Sequence, residues 1–210
     1  MKIYEYKNYE EYVSAQTEAT KRKINNQNCV ENEIVFVSSL IKKEIPNASF
    51  GLCHGTRRGL EQEIFIRELE IDVLGTDICE SASQFPNTIV WDFNKAKDEW
   101  LNSVDFIYSN SFDHAFDPEK CLKVWMSCIK KETGICILHW DKQHNSRAKA
   151  SDPYSATLDE YLDMINSCGF SVYDVVKYTG SSKVREKKVW DKVKSNPVFF
   201  ILIKHGDNVI

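Results

Sequence analysis

The chain has 210 residues, 42% hydrophobic and 28% charged, with a formal net charge of −4 at pH 7. That balance suits one globular α/β domain and excludes a disordered or fibrous chain. No apolar run approaches the ~18 residues of a membrane span, and the net acidity argues against non-specific nucleic-acid binding as the main role.

The N-terminus, MKIYEYKNYEEY, mixes charges with tyrosines and does not read as a signal peptide, so the expected location is cytoplasmic. The seven cysteines are Cys29, Cys53, Cys79, Cys121, Cys128, Cys136 and Cys168. Their number is odd, no CxxC occurs, and most sit in apolar segments. They read as small buried hydrophobes rather than disulfides or metal ligands, and no metal site is expected.

Helical spacing of Tyr9, Tyr12, Val13, Gln16 and Thr20 predicts a helix over residues 4–23, closed by Lys21, Arg22 and Lys23. Ile34, Val37, Leu40 and Ile41 predict a second over Glu31–Glu44, stopped by Pro46. Residues 1–45 thus form a helical cover and 46–210 the core of a single domain. In the core, strands are predicted at 48–53, 73–77, 88–92, 104–109 and 135–139. A turn at 54–58 leads into a helix over Leu60–Leu69, and Asp117-Pro118 opens another that runs through Ile129. Residues 141–155 are polar and irregular, and a helix over 158–168 ends at Gly169. Two last strands, Phe170–Tyr178 and Val198–His205, have no helix between them and should pair antiparallel. This rhythm predicts a doubly wound, mostly parallel seven-stranded sheet with helices on both faces and an antiparallel last strand.

Such sheets bind ligands outside the carboxyl ends of their strands. The first end supplies Gly51, Cys53, His54, Gly55 and Thr56, with Arg57 and Arg58 placed for an anion at a helix N-terminus. The second ends in Asp77-Ile78, about twenty residues on, where a carboxylate accepts from ribose hydroxyls. The third ends in Asp92-Phe93, an acceptor for a purine amine beside an apolar face. Each acid also reads as a plain helix cap; three polar ends in register are the more specific signal. The fourth end is the polar burst Ser109, Asn110, Ser111, Phe112, Asp113, His114, and the fifth is His139-Trp140-Asp141. A histidine here can take a proton near neutral pH or merely orient a neighbour.

VDFIYSNSFDHAFDPEKCL, LGTDI and IVWDF, with the closing antiparallel pair, resemble the class I S-adenosylmethionine-dependent methyltransferases over residues 48–204. The resemblance implies a Rossmann-like fold, S-adenosylmethionine as cofactor, Asp77 on its ribose, Asp92 and Phe93 on adenine, and Ser109 and Asn110 on the methionine side. CHGTRRG stands where that family has a glycine-rich run. Aligning Gly55 with the middle glycine puts Gly51 at the usual acid, Cys53 at the first glycine and Arg57 at the third. Arg57 or Arg58 at the methionine carboxylate is one way to hold it. A hydroxyl acceptor would need a base: His114 first, His139 second, with Asp113 or Asp141 orienting them.

CHGTRRGLEQ, FPNTIVWDF and YSNSFDHAFDPEKC further resemble small bacterial methyltransferases linked to surface-polysaccharide synthesis. That implies a small-molecule acceptor: a sugar, nucleotide-sugar or phosphorylated-metabolite hydroxyl. The basic loop 179–197 could grip a phosphate or simply be solvated, and Tyr4, Tyr6, Tyr9, Tyr12 and Trp140 could stack on a ring or pack the core. Homo-oligomerisation is left open. The alternatives are a nicotinamide-dependent oxidoreductase, against which the missing GxGxxG counts, and a non-catalytic nucleoside-binding module.

Overall fold

The apolar runs become a seven-stranded sheet in the computed structural model, which describes residues 1–26, 30–180 and 197–206. In chain order the strands are β1 (Lys2–Ile3), β2 (Phe50–His54), β3 (Asp72–Asp77), β4 (Thr88–Val90), β5 (Phe106–Ser109), β6 (Ile135–Trp140), β7 (Tyr154–Ser155), β8 (Phe170–Tyr178) and β9 (Val198–His205). The helices are α1 (Tyr9–Arg22), α2 (Glu31–Glu44), α3 (Leu60–Leu69), α4 (Pro118–Cys128) and α5 (Leu158–Ser167). The large sheet runs β4-β3-β2-β5-β6-β9-β8. The first five are parallel; β9 lies antiparallel between β6 and β8.

Alternation with period two decides which helices cover which face. Leu52, Ile107, Cys136, Leu138 and Ile201 face one way and pack with Leu122, Trp125 and Met126 of α4 and Tyr161 and Ile165 of α5. Cys53, Phe106, Tyr108, Ile137 and Leu202 face the other way, against Ile34, Val37 and Ile41 of α2 and Ile64 and Phe65 of α3. Strand β2 pairs with β3 on one side and β5 on the other, so the chain winds away from it in both directions. That is the switch point at which a doubly wound sheet opens a crevice.

Several boundaries differ from the sequence reading. Helix α1 begins at Tyr9, not near residue 4. Lys2 and Ile3 pair with Ser155 and Tyr154, and Asn8 caps α1 by accepting from the Glu11 amide at 2.9 Å. Strand β4 stops at Val90, so Asp92 sits just past it. A 3-10 turn, Glu80–Gln84, rather than an α-helix connects β3 to β4. Ile129 leaves the helix that was expected to include it and bridges to Val104. Residues 141–155 hold a capped 3-10 turn, Lys142–Asn145, followed by β7. Most of the basic loop 179–197, and Cys29, lie outside the described residues. The six described cysteines are free. Among the described residues no helix is long and apolar enough to cross a membrane.

Candidate active site

The turn after β2 is built by hydrogen bonds to β3. The Gly55 amide donates to the Thr76 carbonyl at 2.8 Å, and the Arg57 amide donates to Asp77 Oδ2 at 3.1 Å. Asp77 Oδ1 accepts from the Cys79 amide at 2.9 Å. Burial pushes this carboxyl up, partly offset by those two amides, and each oxygen keeps a lone pair for a further donor. Gly55 has φ +76°, and a Cβ there would lie 2.6 Å from Ser111 Cβ. Arg57 adopts φ +50°, a left-handed conformation that ordinarily costs a non-glycine residue about 1 kcal/mol or more.

The end of β5 is stitched onto this turn. Ser109 Oγ donates to the His54 carbonyl at 2.8 Å and accepts from the Ser111 amide at 3.0 Å. Ser111 Oγ reaches the Gly55 carbonyl at 3.2 Å and Asn110 Oδ1 at 2.9 Å. Beneath α1 the two strand ends and the residues after β4 line one crevice: Gly55, Arg57, Asp77, Ile78, Asp92, Phe93, Ser111 and His114, roofed by Tyr12, Gln16, Ala19 and Thr20. Tyr9 of α1 donates its hydroxyl to Asp92 Oδ2. Asp92 Oδ1 accepts from the Asn94 amide at 3.0 Å, and Asn94 Nδ2 donates to the Tyr12 hydroxyl at 2.8 Å.

A second cavity, about 470 Å³, opens beside the first and shares Lys23, Arg57, Ser111 and His114 with it. Asn110, Asp113, His139, Asp141, His144, Lys149 and Asp152 are also in its wall. His114 stands at the junction. Its Nδ1 lies 2.9 Å from Gln16 Oε1. The Gln16 amide is oriented by its other end, where Nε2 donates to the Ala150 carbonyl at 3.1 Å, so Nδ1 carries the hydrogen. His114 Nε2 lies 3.6 Å from Asp152 Oδ1 and 3.8 Å from Asp113 Oδ1.

His139 is 5% exposed, with Nε2 at 3.6 Å from Glu33 Oε2, and burial lowers its basicity despite that carboxylate. For His144, burial acts downward, but Asp113 and Asp141 outweigh it and lift it to about 8. Its Nδ1 lies 3.1 Å from Asp141 Oδ1, so Asp141 holds His144.

Gly51, Cys53 and His54, expected at the cofactor, lie elsewhere. Gly51 is mid-strand, where a Cβ would fall 2.2 Å from the Phe106 ring. Cys53 is fully buried in the α2–α3 core. His54 packs its ring 4.7 Å from that of Trp125, places Nδ1 2.8 Å from Thr76 Oγ1, and is held neutral by burial, its pKa lowered to about 3. Alternation explains all three: residues before the strand end point into the core layers. Arg58 lines neither cavity. Tyr6, Tyr9 and Tyr12 cluster around Phe116, and Trp140 donates to the Ala156 carbonyl at 3.2 Å, which is the packing alternative.

Gln16, Glu61, His144 and Asp152 are site residues that the sequence reading did not select. Asp141 and His144 stand three apart, the spacing of a capping box, but in a segment with no hydrophobic period to flag it. Asp113, His114 and Asp152 offer ligand atoms within 4.8 Å of one another, a group that sequence spacing does not show. Lys149 Nζ at 2.8 Å and Lys23 Nζ at 3.8 Å already balance Asp152.

The strand order, with an antiparallel strand inserted next to the edge and a crevice at the switch point, defines the fold of the class I methyltransferases. Neither a family model nor a curated relative matches the sequence. Solved structures do. A Burkholderia thailandensis 1,6-didemethyltoxoflavin-N1-methyltransferase with bound S-adenosylhomocysteine is similar at TM-score 0.69 and 13% identity, over 96% of this chain and 92% of that one. The plantazolicin methyltransferase BpumL with S-adenosylhomocysteine is similar at 0.63 and 15%, over 93% and 98%. Geranyl diphosphate C-methyltransferase from Streptomyces coelicolor, with Mg2+ and S-adenosylhomocysteine, is similar at 0.61 and 11%, over 86% and 83%. At these identities the likeness is one of fold.

Proposed function

We propose that this chain is an S-adenosylmethionine-dependent methyltransferase acting on a small molecule. The observation that carries the reading is the pair of adjoining cavities with His114 between them. One has acids at two strand ends beside apolar Ile78 and Phe93, the acceptors and apolar wall a nucleoside needs. The other is polar and large enough for a small acceptor. Asp77 would hold ribose hydroxyls, and Asp92, Phe93 and Ile78 the adenine. Arg57, Ser111 and Asn110 face the methionine end. When bound, the cofactor supplies an electrophilic methyl group on sulfur.

The protein's own residues then do two things. The walls of the second cavity hold an acceptor oxygen near the cofactor, a positioning effect that dominates such transfers. His114 takes the acceptor's proton at Nε2, while Gln16 keeps the hydrogen on Nδ1. Asp113 and Asp152 stabilise the imidazolium that results. The acceptor is read as a sugar or phosphorylated-sugar hydroxyl, on the strength of the motif resemblance to polysaccharide-linked enzymes. The basic residues Lys23, Arg57 and Lys149 around the cavity suit a phosphorylated substrate.

Methyl-labelled S-adenosylmethionine incubated with free sugars, sugar phosphates and nucleotide sugars tests this. The expected result is label on a sugar oxygen, reduced about 100-fold by His114→Ala at pH 7. Full turnover by that variant at every pH removes His114 as the base, and label found only on nitrogen or carbon acceptors removes the hydroxyl reading.

A further inference from the structure

Among the residues that line the second cavity, Arg57 Nε, Asp113 Oδ1 and His139 Nδ1 are buried without a hydrogen-bond partner among the described residues. Such atoms are costly unless a ligand meets them. Arg57 lines both cavities, whereas Asp113 and His139 belong to the second. His139, near the end of β6, is 5% exposed, and its Nε2 faces Glu33 Oε2 of α2 at 3.6 Å. A carboxylate at that nitrogen keeps the hydrogen on Nε2, and burial disfavours a second one, so Nδ1 carries a bare lone pair. His139 is in the cavity wall and Glu33 is not, which leaves Nδ1 as the nitrogen for a ligand. Asp113 Oδ1 lies 3.8 Å from His114 Nε2 and 3.7 Å from His144 Nε2, beyond hydrogen-bond distance of either. His144 is already committed, with Nδ1 on Asp141 Oδ1 and Nε2 3.4 Å from the Asn110 carbonyl. The same wall carries Lys23 and Lys149, and the Lys149 side chain is 61% exposed. The cavity is therefore two-ended, with ammonium groups toward solvent and hydrogen-free acceptors at its buried end.

We propose that the acceptor is a monophosphorylated polyol bound in one orientation, its phosphate toward Lys23 and Lys149 and its hydroxyls at the buried end, where the hydroxyl next to the reacting one donates to Asp113 Oδ1 and a further one to His139 Nδ1. This deepens the acceptor half of the proposed function and rests on it. His139 is then a specificity-determining residue rather than a base, and Glu33 is the positioning residue that keeps its Nδ1 bare. A phosphate dianion at the buried end has no hydrogen to give and meets the charge of Asp113. An alkyl group there leaves both acceptors unmet, the situation in which a polar site rejects an analogue most strongly.

Calorimetry on the full chain loaded with S-adenosylhomocysteine tests this. The probes are pentose and hexose monophosphates, and the control is cyclohexylmethyl phosphate, which keeps a ring and a phosphate and lacks the hydroxyls. At least one sugar phosphate should bind about tenfold or more tightly than the control, and about tenfold or more tightly than its own unphosphorylated sugar. His139→Phe should weaken that sugar phosphate about tenfold while leaving the control and S-adenosylhomocysteine within about twofold. A control that binds as tightly as every sugar phosphate overturns the proposal without any variant, and so does unchanged sugar-phosphate affinity in His139→Phe. Should that variant fail to bind S-adenosylhomocysteine, Glu33→Gln takes its place: with the hydrogen no longer fixed on Nε2, the sugar phosphate should weaken several-fold, and an unchanged affinity overturns the proposal. Wild-type protein that binds S-adenosylhomocysteine and no sugar phosphate overturns the polyol acceptor and leaves the cofactor reading standing. Wild-type protein that does not bind S-adenosylhomocysteine removes the methyltransferase reading, and this proposal with it.

Discussion

His114 and Gln16 show how a side chain's chemistry is set by what holds it. Gln16 is 5% exposed, and its amide is fixed at one end by the Ala150 carbonyl, so its oxygen faces His114 Nδ1. Without that acceptor the imidazole can place its hydrogen on either nitrogen, and the tautomer with Nε2–H cannot accept a proton from a substrate. Gln16→Leu is expected to lower turnover about tenfold, with the nitrogen shifts of His114 in NMR spectra changing from the Nδ1–H pattern to a mixture. Unchanged shifts would leave Gln16 as packing only. The pairing was invisible in the sequence, where Gln16 is merely a polar residue on the inward face of α1; its partner lies 98 positions away. Arg57 was more legible. Aligned with a glycine position, it does take a left-handed backbone, φ +50°, and its amide meets Asp77.

Helix α1 is the roof of the switch-point crevice, and it is shut. The crevice holds only about 40 Å³, against the ~300 Å³ at which small-molecule sites begin, so α1 must move for a nucleoside to enter. Its latches are Tyr9 on Asp92, the Tyr12–Asn94 contact, Gln16 on His114, and the pairing of Lys2 and Ile3 with β7. Burial and Asp92 both raise the Tyr9 phenol, so it stays protonated and donates at any working pH. Tyr9→Phe removes one latch. It should speed S-adenosylhomocysteine association in stopped-flow measurements several-fold. An unchanged association rate would mean that entry does not pass through α1. Periodicity found this helix because Tyr12 and Gln16 mark its buried face. It could not show that the same face would meet Asp92 and His114. The start was misplaced because Asn8 caps α1 and the chain before it leads to β1, a two-residue pairing that no local pattern announces.

The sheet as a whole was the most legible level, for a physical reason. Strands β2, β5 and β6 are buried on both faces and read as continuous apolar runs. The antiparallel β8–β9 pair was predicted because no helical pattern separates the two segments in the sequence. The limits of the site were less legible, since a strand end is only known to within a residue or two. Gly51, Cys53 and His54 fell inside the core for that reason, whereas Asp77, Asp92, Ser111 and His114 reached the crevice. Polar residues brought in from helices and loops, Glu61 and His144 among them, depend on packing that no single segment encodes. The central claim is that this switch-point crevice takes the nucleoside of a methyl donor. Calorimetric titration of the chain with S-adenosylhomocysteine and, separately, with NAD tests it most directly. The account predicts saturable one-to-one binding of S-adenosylhomocysteine, weakened at least tenfold by Asp77→Ala, and no heat from NAD; binding of NAD, or of neither nucleotide by the folded protein, would contradict it.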